Sequence, residues 1–441
     1  MRSIDAVVEF EAPVGPIRGH RRGDVVRASG IPYARAERFA APTPEPDWTE
    51  PFDARHPSPA SPQPPATLEH VIGEQSGGLT QREHFQHLSI TVPADRADDE
   101  QLPVMVWIHG GSYVSGAGDA PIYDPSVLAA EQRVVVVTVT YRLGLLGYLG
   151  GGGERMANLG LLDQLEAFRW VQRNIASFGG DPRRVTAFGQ SAGGDAVLHL
   201  MATEGARQLF SRAIVQSAPL GVFRGRARMS AAMLAASRDL TAETPIADVV
   251  AAQAAVLTAG STFGMPSLMP FGIQYGHAPL PAEREVRRRW ASVAPDIPLL
   301  IGTTAQETNL FITAVPALER LAALPLVGGP LAAALSAIMT QLVYEAPARR
   351  FVRAYRAAGG RALRYRFTWS ARRNRYRSSH AIEVPFIFGT EQLATTLLPY
   401  RGADLVELRR VGTAVRTVWA DFARGEGLRA TPLARKVLKL Y

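Results

Sequence analysis

Residues 188–195 read FGQSAGGD and place one serine, Ser191, among small neighbours. The apolar run RRVTAFG (183–189) before it predicts a strand, and the run GGDAVLHLMAT (193–203) after it predicts a helix. The five residues GQSAG fit G-x-S-x-G, a sharp turn that lifts a serine hydroxyl above the ends of the strands. A helix that begins there directs free N–H groups and its positive dipole end at the serine, which favours developing negative charge. The stretch therefore predicts that Ser191 is a nucleophile rather than a small residue in a tight turn.

Apolar strands alternate with helical segments on both sides of this turn. The runs LPVMVWIHGG (102–111) and RVVVVTVTYR (133–142) are nearly continuous apolar strands, which is typical of a sheet covered on both faces. The first ninety or so residues instead alternate short strands with turns. We predict an α/β fold in which a central, mostly parallel sheet has helices on both faces and an N-terminal β-meander. No linker or repeat divides the chain, so residues 1–441 are predicted to form a single domain.

The composition excludes several kinds of chemistry. The chain has no cysteine, so disulfides, thiolate zinc sites and thiol catalysis are all excluded. Its net charge of +8 comes almost wholly from arginine, because Lys436 and Lys439 are the only lysines. Arginines and aromatic residues crowd together in residues 349–377, a pattern that would be checked for nucleic-acid binding. We interpret this cluster as the solvated basic face around a strand and expect no nucleic-acid partner.

Two segments bear on location. The N-terminal stretch MRSIDAVVEFEAPVGPIRG has charges at Asp5, Glu9 and Glu11, where a signal peptide would need an apolar core, so a cytoplasmic location is expected. Residues 321–343 carry no charge, but prolines and glycines interrupt them. They are predicted to form two short buried helices, and no stable membrane insertion is expected.

A serine nucleophile needs a base to take its proton and an acid to orient that base. In this type of fold the chain order is serine, acid, histidine. Outside the serine's own helix only His277 and His380 follow it, and His380 lies beyond the predicted strand ALRYRFTW (362–369) whereas His277 lies in a proline-rich segment. Glu307 follows the predicted strand IPLLIGTT (297–304) and has no neighbouring basic residue to pair with it. We therefore predict that Glu307 and His380 complete a triad with Ser191.

A reacting carbonyl oxygen must also be held by N–H donors. The segment WIHGGSYVSG (107–116) ends a strand and opens a loop of small residues, so its backbone can approach the site. Gly111 and Ser112 in this loop, together with Ala192, are the predicted oxyanion donors.

His84 and His87 are the only residues whose pattern suggests a metal site, and their spacing places them on opposite faces of a strand. No metal site and no cofactor are therefore expected.

These motifs together resemble the type-B carboxylesterase/lipase family of α/β-hydrolases, which includes bacterial para-nitrobenzyl esterases and, more distantly, cholinesterases. The segments that carry the resemblance run in order along most of the chain: GIPYA (30–34), residues 104–129, residues 134–149, residues 158–194, IGTTAQET (301–308), HAIEVPFIFG (380–389) and WADFARGEG (419–427). The resemblance implies an α/β-hydrolase fold, and it places the triad and the oxyanion donors on the same six residues. It also implies two structural ion pairs, Arg38 with Glu83 and Arg142 with Asp163.

The chain also departs from the pattern of that family. Gln190 stands where a glutamate is frequent, which removes a negative charge beside the serine and makes a cationic, choline-type substrate unexpected. Ser112 replaces a third glycine, and Phe85 stands in place of a disulfide cysteine. Asp195 replaces a small or apolar residue and is expected either to cap the elbow helix or to make the pocket more polar. The segment TPLARKVLKLY (431–441) ends early, so the last strand and helix of the family are expected to be missing or altered.

The sequence therefore predicts a serine carboxylesterase that hydrolyses neutral, fairly apolar carboxylic esters through an acyl-enzyme on Ser191. The expected partner is a small-molecule ester, and the expected state is a monomer or a homodimer. Two alternatives stay open at this point. One is a non-catalytic, esterase-like binding protein, and the other is a related serine hydrolase that acts on carbamates or lactones.

Overall fold

The computed structural model describes residues 6–74, 76–153 and 155–441, so Asp5 of the N-terminal stretch lies outside the described residues. The strands are β1 (Val7–Ala12), β2 (Gly15–Arg22), β3 (Val25–Pro32), β4 (Ala34–Arg35), β5 (Thr43–Pro44), β6 (Phe52–Asp53), β7 (His87–Pro93), β8 (Leu102–Ile108), β9 (Val135–Val139), β10 (Gly180–Gln190), β11 (Arg212–Gln216), β12 (Leu299–Thr304), β13 (Ala362–Phe367) and β14 (Leu438–Leu440).

The helices lie mainly between and after the strands of the second half of the sheet. They are α1 (Glu69–Ile72), α2 (Ser126–Gln132), α3 (Gly144–Gly147), α4 (Leu159–Asn174), α5 (Ala192–Leu200), α6 (Ala206–Leu209), α7 (Ala227–Ala235), α8 (Ile246–Ala259), α9 (Glu283–Val293), α10 (Pro316–Ala322), α11 (Gly328–Thr340), α12 (Ala346–Ala357), α13 (Val384–Phe388), α14 (Glu391–Ala394), α15 (Leu405–Arg424) and α16 (Pro432–Val437). A π-helix, Gln341–Glu345, joins α11 to α12.

The main sheet has the order β1-β2-β3-β7-β9-β8-β10-β11-β12-β13-β14, with β6 paired to β2. The six strands from β9 to β13 in this order run parallel, whereas the N-terminal strands pair antiparallel as a meander. The predicted mostly parallel sheet with an N-terminal meander is therefore confirmed. Because parallel strands end at a common edge, the loops after β8, β10, β12 and β13 meet there, and these loops contain the predicted site residues.

Side chains of the central strands alternate between two apolar clusters, as the two-residue period of a strand requires. Val104 and Val106 of β8 face one cluster with α4 and α5. Met105 and Trp107 of the same strand face the other cluster with α13 and α15. Helices thus cover both faces of the sheet, which explains why the strand sequences are apolar at nearly every position.

Both ion pairs implied by the family resemblance are present. Arg38 bonds both carboxylate oxygens of Glu83, at 2.8 and 2.7 Å. Arg142 makes a similar two-pronged contact with Asp163, whose side chain is fully buried, and the Arg142 backbone N–H donates to the same carboxylate at 2.9 Å. The buried carboxylate is therefore satisfied by charge and by hydrogen bonds, and it fixes the segment after β9 against α4.

The expectation that residues 321–343 form buried helices is wrong with respect to burial. The helices α10 and α11 exist, but large apolar side chains of this segment face solvent, and Leu326 in the connection between them is 96% exposed. The segment carries no charged residue, so its composition gave no sign of which face would be covered. No described helix has both the length and the apolar character needed to cross a membrane.

The C-terminal segment contains a helix and a strand, although both are short. The strand β14 has three residues and pairs antiparallel with β13, where Tyr365 lies opposite Leu440. In this segment the helix α16 therefore precedes the strand β14. They cover the outer side of β13, the strand that precedes the loop of His380.

Candidate active site

Ser191 occupies a sharp turn between β10 and α5. Its backbone has φ 59° and ψ −124°, and its N–H donates to the carbonyl of Gln216 at 2.8 Å. The helix begins so close to the sheet that a Cβ added to Gly193 would lie 2.0 Å from the carbonyl oxygen of Ile108. Small residues around the serine are thus a steric requirement of the turn. The first N–H groups of α5, beginning at Ala192, lack partners within the helix and adjoin the serine.

His380 and Glu307 are in direct contact. The imidazole Nδ1 of His380 lies 2.6 Å from Oε2 of Glu307, and both side chains are buried. The other carboxylate oxygen of Glu307 accepts a hydrogen bond from the backbone N–H of Thr304 at 2.6 Å. A further hydrogen bond, from the His380 N–H to the Glu307 carbonyl at 3.1 Å, ties the two loops together. The carboxylate thereby fixes the ring orientation and the tautomer of the imidazole.

Ser191 and His380 are close neighbours of Gln190 rather than direct partners. The side-chain amide nitrogen of Gln190 lies 3.1 Å from His380 Nε2, and within the described part of the chain no hydrogen bond joins His380 to the Ser191 hydroxyl. Hydrogen bonds between a serine and its base are often loose in proteins without a bound substrate. The sequence pointed to Gln190 only as a missing charge, and its contact with the imidazole was not foreseen.

The predicted oxyanion loop lies beside the serine. Gly110 lies so close to the turn that an added Cβ would be 3.2 Å from Cβ of Ser191. The next three residues, Gly111, Ser112 and Tyr113, all have positive φ values of 107°, 55° and 61°. This conformation turns the backbone sharply, and Ser112 and Ser191 line the same cavity. A Cβ added to Gly111 would lie 2.0 Å from the Ser115 carbonyl, so only glycine fits there.

That cavity has a volume of about 370 Å³ and is mostly apolar. No charged side chain is among the described residues that line it: Ser112, Ser191, Pro219, Val222, Leu268, Met269, Thr308, Phe311, Ile312, Val315, Leu318, Ala332, Leu335, Ser336, Met339, Val343 and Tyr344. The rings of Phe311 and Tyr344 also contact the His380 imidazole, with centroids 5.4 and 5.3 Å away. Ser191 thus lines the cavity directly, and two aromatic residues of the cavity wall contact His380.

A second buried carboxyl group lies near the histidine and was not predicted. Glu383 is fully buried, and its Oε1 accepts a hydrogen bond from the Gln216 side chain at 3.3 Å. Burial, and then the charge of Glu307, raise the pKa of Glu383 to about 7. The only sequence signal was its place three residues after His380. Glu383 is thus a carboxyl group close to the site that binds its proton more tightly than an ordinary glutamate does.

His109 is the first residue of the predicted oxyanion loop, and its side chain is neutral. Burial lowers the pKa of His109 to about 4, against the opposing effect of its hydrogen bond from Nδ1 to the Gly110 carbonyl at 2.8 Å. Its ring stacks on Tyr141, with centroids 4.4 Å apart. The imidazole is therefore uncharged at neutral pH, and it packs between the Gly110 carbonyl and the Tyr141 ring.

Neither role expected for Asp195 from the sequence is present. Its carboxylate makes no capping bond at the start of α5, and it does not line the cavity. Instead it is buried and accepts a hydrogen bond from the Tyr113 hydroxyl. The sequence gave no sign of this partner, because Tyr113 lies 82 positions away along the chain.

The remaining histidine considered as a base lies elsewhere. His277 packs against Gly151, and its carbonyl accepts a hydrogen bond from Asn158 at 3.1 Å. It is not among the residues that line the cavity. In the described ranges, no group of three or more histidine, aspartate or glutamate side chains is arranged to hold a metal ion.

The chain is similar to known proteins in sequence and in fold. A sequence model of the carboxylesterase family matches residues 5–322. A probable N-octanoylanthranilate hydrolase of Rhodococcus erythropolis is 37% identical over 417 residues, covering 93% of this chain and 91% of that protein. A para-nitrobenzyl esterase of Bacillus subtilis (strain 168) is 34% identical over 450 residues, covering 93% and 88% of the two chains. The solved structure of a thermophilic PNB esterase superimposes with a TM-score of 0.78 at 30% identity, covering 94% of this chain and 90% of its own.

Proposed function

Because this chain belongs to the carboxylesterase family, we propose that it hydrolyses carboxylic esters through an acyl-enzyme on Ser191. The α/β-hydrolase fold is confirmed by the likeness to solved PNB esterases. The observation that carries the proposal is the contact of 2.6 Å between His380 and Glu307 beside an apolar cavity that also contains Ser191. A buried imidazole oriented by a carboxylate is the arrangement that activates a serine hydroxyl.

In the proposed reaction Ser191 Oγ attacks the ester carbonyl carbon while His380 Nε2 takes the hydroxyl proton. Glu307 holds the imidazole through Nδ1 and stabilises the imidazolium that forms. The N–H groups of Gly111, Ser112 and Ala192 stabilise the negative oxygen of the tetrahedral intermediate. When the intermediate collapses, the proton passes from His380 to the leaving alcohol. A water molecule then attacks the acyl-enzyme by the same steps and releases the acid.

The neutral side chain of Gln190 bears on the charge of the proposed substrate. Its amide nitrogen lies against His380 Nε2, the atom that must face both the serine and the leaving alcohol. Because this side chain is neutral, it adds no negative charge to the site. We therefore propose neutral esters rather than cationic ones as substrates.

The substrate is proposed to be neutral and fairly apolar on its acyl side. A charged group placed in this cavity would lose water without gaining a charged partner, which is unfavourable. The volume of about 370 Å³ lies at the lower end of the range for small-molecule pockets. The name of the Rhodococcus relative contains an octanoyl group. We therefore propose short- to medium-chain acyl esters as substrates.

The test is hydrolysis of nitrophenyl acetate, butyrate and octanoate by the parent protein and by Ser191→Ala, together with labelling by a fluorophosphonate probe and peptide mapping. We expect the parent to turn over and to carry the probe on Ser191, and the variant to lose kcat by a factor on the order of 10⁶. Ser292→Ala is the matched control, because this exposed hydroxyl donates only to the nearby Arg289 carbonyl.

The same experiment separates the alternatives. A folded parent that neither turns over nor takes the probe would replace the proposal by a non-catalytic binding protein. Labelling of Ser191 combined with turnover of carbamates or lactones, but not of open-chain esters, would retain the nucleophile and change the substrate class.

A further inference from the structure

The carboxylate of Asp195 lies between the two segments that surround the serine. Asp195 is in the first turn of α5, four residues after Ser191, and is 1% exposed. Its Oδ2 accepts a hydrogen bond of 2.7 Å from the hydroxyl of Tyr113, which directly follows Ser112. One side-chain bond therefore joins the helix that begins at Ala192 to the loop of Gly111 and Ser112.

We propose that Asp195 is a positioning residue, which holds the loop through Tyr113 so that N–H donors from the loop and from the helix converge on one oxygen. This inference rests on the proposed function for its catalytic consequence, but the structural link stands independently of it. Asp195 is not among the cavity-lining residues, so it acts through Tyr113 rather than by touching substrate.

The loop requires such a restraint because of its backbone conformation. Ser112 and Tyr113 are not glycines, yet both have φ in the left-handed region, at 55° and 61°. Such residues persist only where the surrounding structure holds them. Three contacts hold Tyr113: its ring lies on Tyr148 with centroids 4.0 Å apart, its carbonyl accepts from the Gly144 N–H at 2.6 Å, and its hydroxyl bonds Asp195.

The other carboxylate oxygen of Asp195, Oδ1, has no hydrogen-bond partner among the described residues. His199 Nδ1 lies 2.7 Å from Asp195 Oδ1, but its hydrogen bond of 2.8 Å is with the Asp195 backbone carbonyl, and His199 Nε2 lies 2.8 Å from the Tyr275 hydroxyl. The buried guanidinium of Arg226 adds a positive charge to the same region, and the charge of Asp195 opposes the lowering of the Arg226 pKa by burial. Among the described residues, the Tyr113 hydroxyl is therefore the hydrogen-bond donor that fixes this carboxylate.

The order of this network suggests a sharp test. The hydroxyls of Tyr113 and Tyr275 lie at the two ends of this network, but only Tyr113 belongs to the loop. Tyr113→Phe removes one oxygen and keeps the ring, and Tyr275→Phe makes the same chemical change at the far end. Asp195→Ala removes the central acceptor, and the double variant Asp195→Ala/Tyr113→Phe closes a thermodynamic cycle.

We expect Tyr113→Phe and Asp195→Ala each to lower kcat for nitrophenyl butyrate by about 10- to 100-fold, with KM changed less than about twofold, because donors displaced by a fraction of an ångström lose transition-state contacts. The double variant is expected to lose no more than the worse single variant. Tyr275→Phe is expected to keep kcat within about twofold. Multiplicative losses, or an equal loss in Tyr275→Phe, would overturn the proposal.

Hydrogen exchange of the peptide that spans residues 109–116 tests the restraint without any turnover. We expect its amides to exchange at least about tenfold faster in Tyr113→Phe and in Asp195→Ala than in the parent or in Tyr275→Phe. Faster exchange in a protein without esterase activity would refute the proposed function and support the restraint. Unchanged exchange in Tyr113→Phe would refute the restraint whatever the activity.

Discussion

The imidazole Nδ1 of His380 lies 2.6 Å from Oε2 of Glu307, although 73 positions separate the two residues in the chain. Adjacent parallel strands bring them together, because β12 ends just before Glu307 and β13 leads into the loop of His380. Backbone hydrogen bonds then fix the loops, including one from the Gln306 N–H to the Ser378 carbonyl at 2.9 Å. The contact is therefore held by the main chain and not by the two side chains alone.

Replacement Glu307→Gln tests what this contact does. The amide keeps the size of the carboxylate but removes its charge, so it no longer stabilises the imidazolium or selects the reactive tautomer. We expect kcat to fall by about 10⁴-fold with little change in KM, measured under steady-state conditions with nitrophenyl butyrate. Glu319→Gln, an exposed change on α10, is the control. A loss of less than about tenfold would mean that another carboxyl group orients His380, and Glu383 would be the first candidate.

The sequence allowed the sheet, the elbow and the loops at its edge to be predicted, because strand and helix periods and tight turns are local signals. Ser191, Glu307 and His380 were selected by chain order and by the strands before them. Partners from distant segments, such as Asp195 for Tyr113, have no local signal. Only the folded arrangement of β8, α5 and the loop after β8 reveals them.

The exposure of residues 321–343 was not predictable for a related reason. Their composition indicated helices and an apolar environment, but it carried no information about which side would be covered. In the structure Met339 of α11 lines the cavity, whereas Leu331 of the same helix is 52% exposed. Which face of an apolar helix is buried can be known only from the elements that pack against it.

Replacement Gly193→Ala tests the steric reading of the elbow. The added methyl group would meet backbone atoms of Ile108 and His109, at 2.0 and 2.7 Å, and these cannot move aside as a flexible side chain could. We expect α5 to shift away from β8, with a loss of about 1–3 kcal/mol in the free energy of unfolding and a lower kcat. Thermal unfolding and steady-state kinetics measure the two effects.

Gly329→Ala is the matched control for this change. An added Cβ at Gly329 meets nothing within 4 Å, and the residue lies in the first turn of α11. Alanine there is expected to be neutral or slightly stabilising, because glycine is unfavourable in a helix. If both variants behaved like the parent, the close approach of α5 to β8 would not restrict position 193.

Replacement Glu383→Gln makes a prediction about pH. Burial raises the pKa of Glu383 from 4.5 to about 7, so the folded state binds its proton more tightly than the unfolded state does. The stabilisation from that proton is complete below about pH 4.5 and is lost as the pH rises through about 7. The parent therefore becomes less stable over this range through this group, whereas the glutamine variant does not.

We expect Glu383→Gln to differ little from the parent near pH 4.5 and to be the more stable of the two near pH 8, by about 1.4 kcal/mol for each unit of pKa shift. Urea unfolding of both proteins at several pH values gives the difference directly. Glu50→Gln, at an exposed position, is expected to show no such trend. A difference that is the same at all pH values would show that the pKa of Glu383 is equal in the folded and unfolded states.

The cavity predicts a dependence on acyl length. Met339 lines the cavity, and Met339→Trp adds a ring that occupies part of its volume. Each buried methylene of a substrate contributes about 0.8 kcal/mol, so excluding two or more of them lowers kcat/KM for nitrophenyl octanoate by about tenfold or more. Nitrophenyl acetate needs only the part of the cavity next to Ser191, and its kcat/KM is expected to stay within about twofold. Leu331→Trp makes a similar change on the exposed face of the same helix and is expected to leave both values unchanged. Equal losses for acetate and octanoate in Met339→Trp would show that this helix positions the reacting groups rather than the acyl chain.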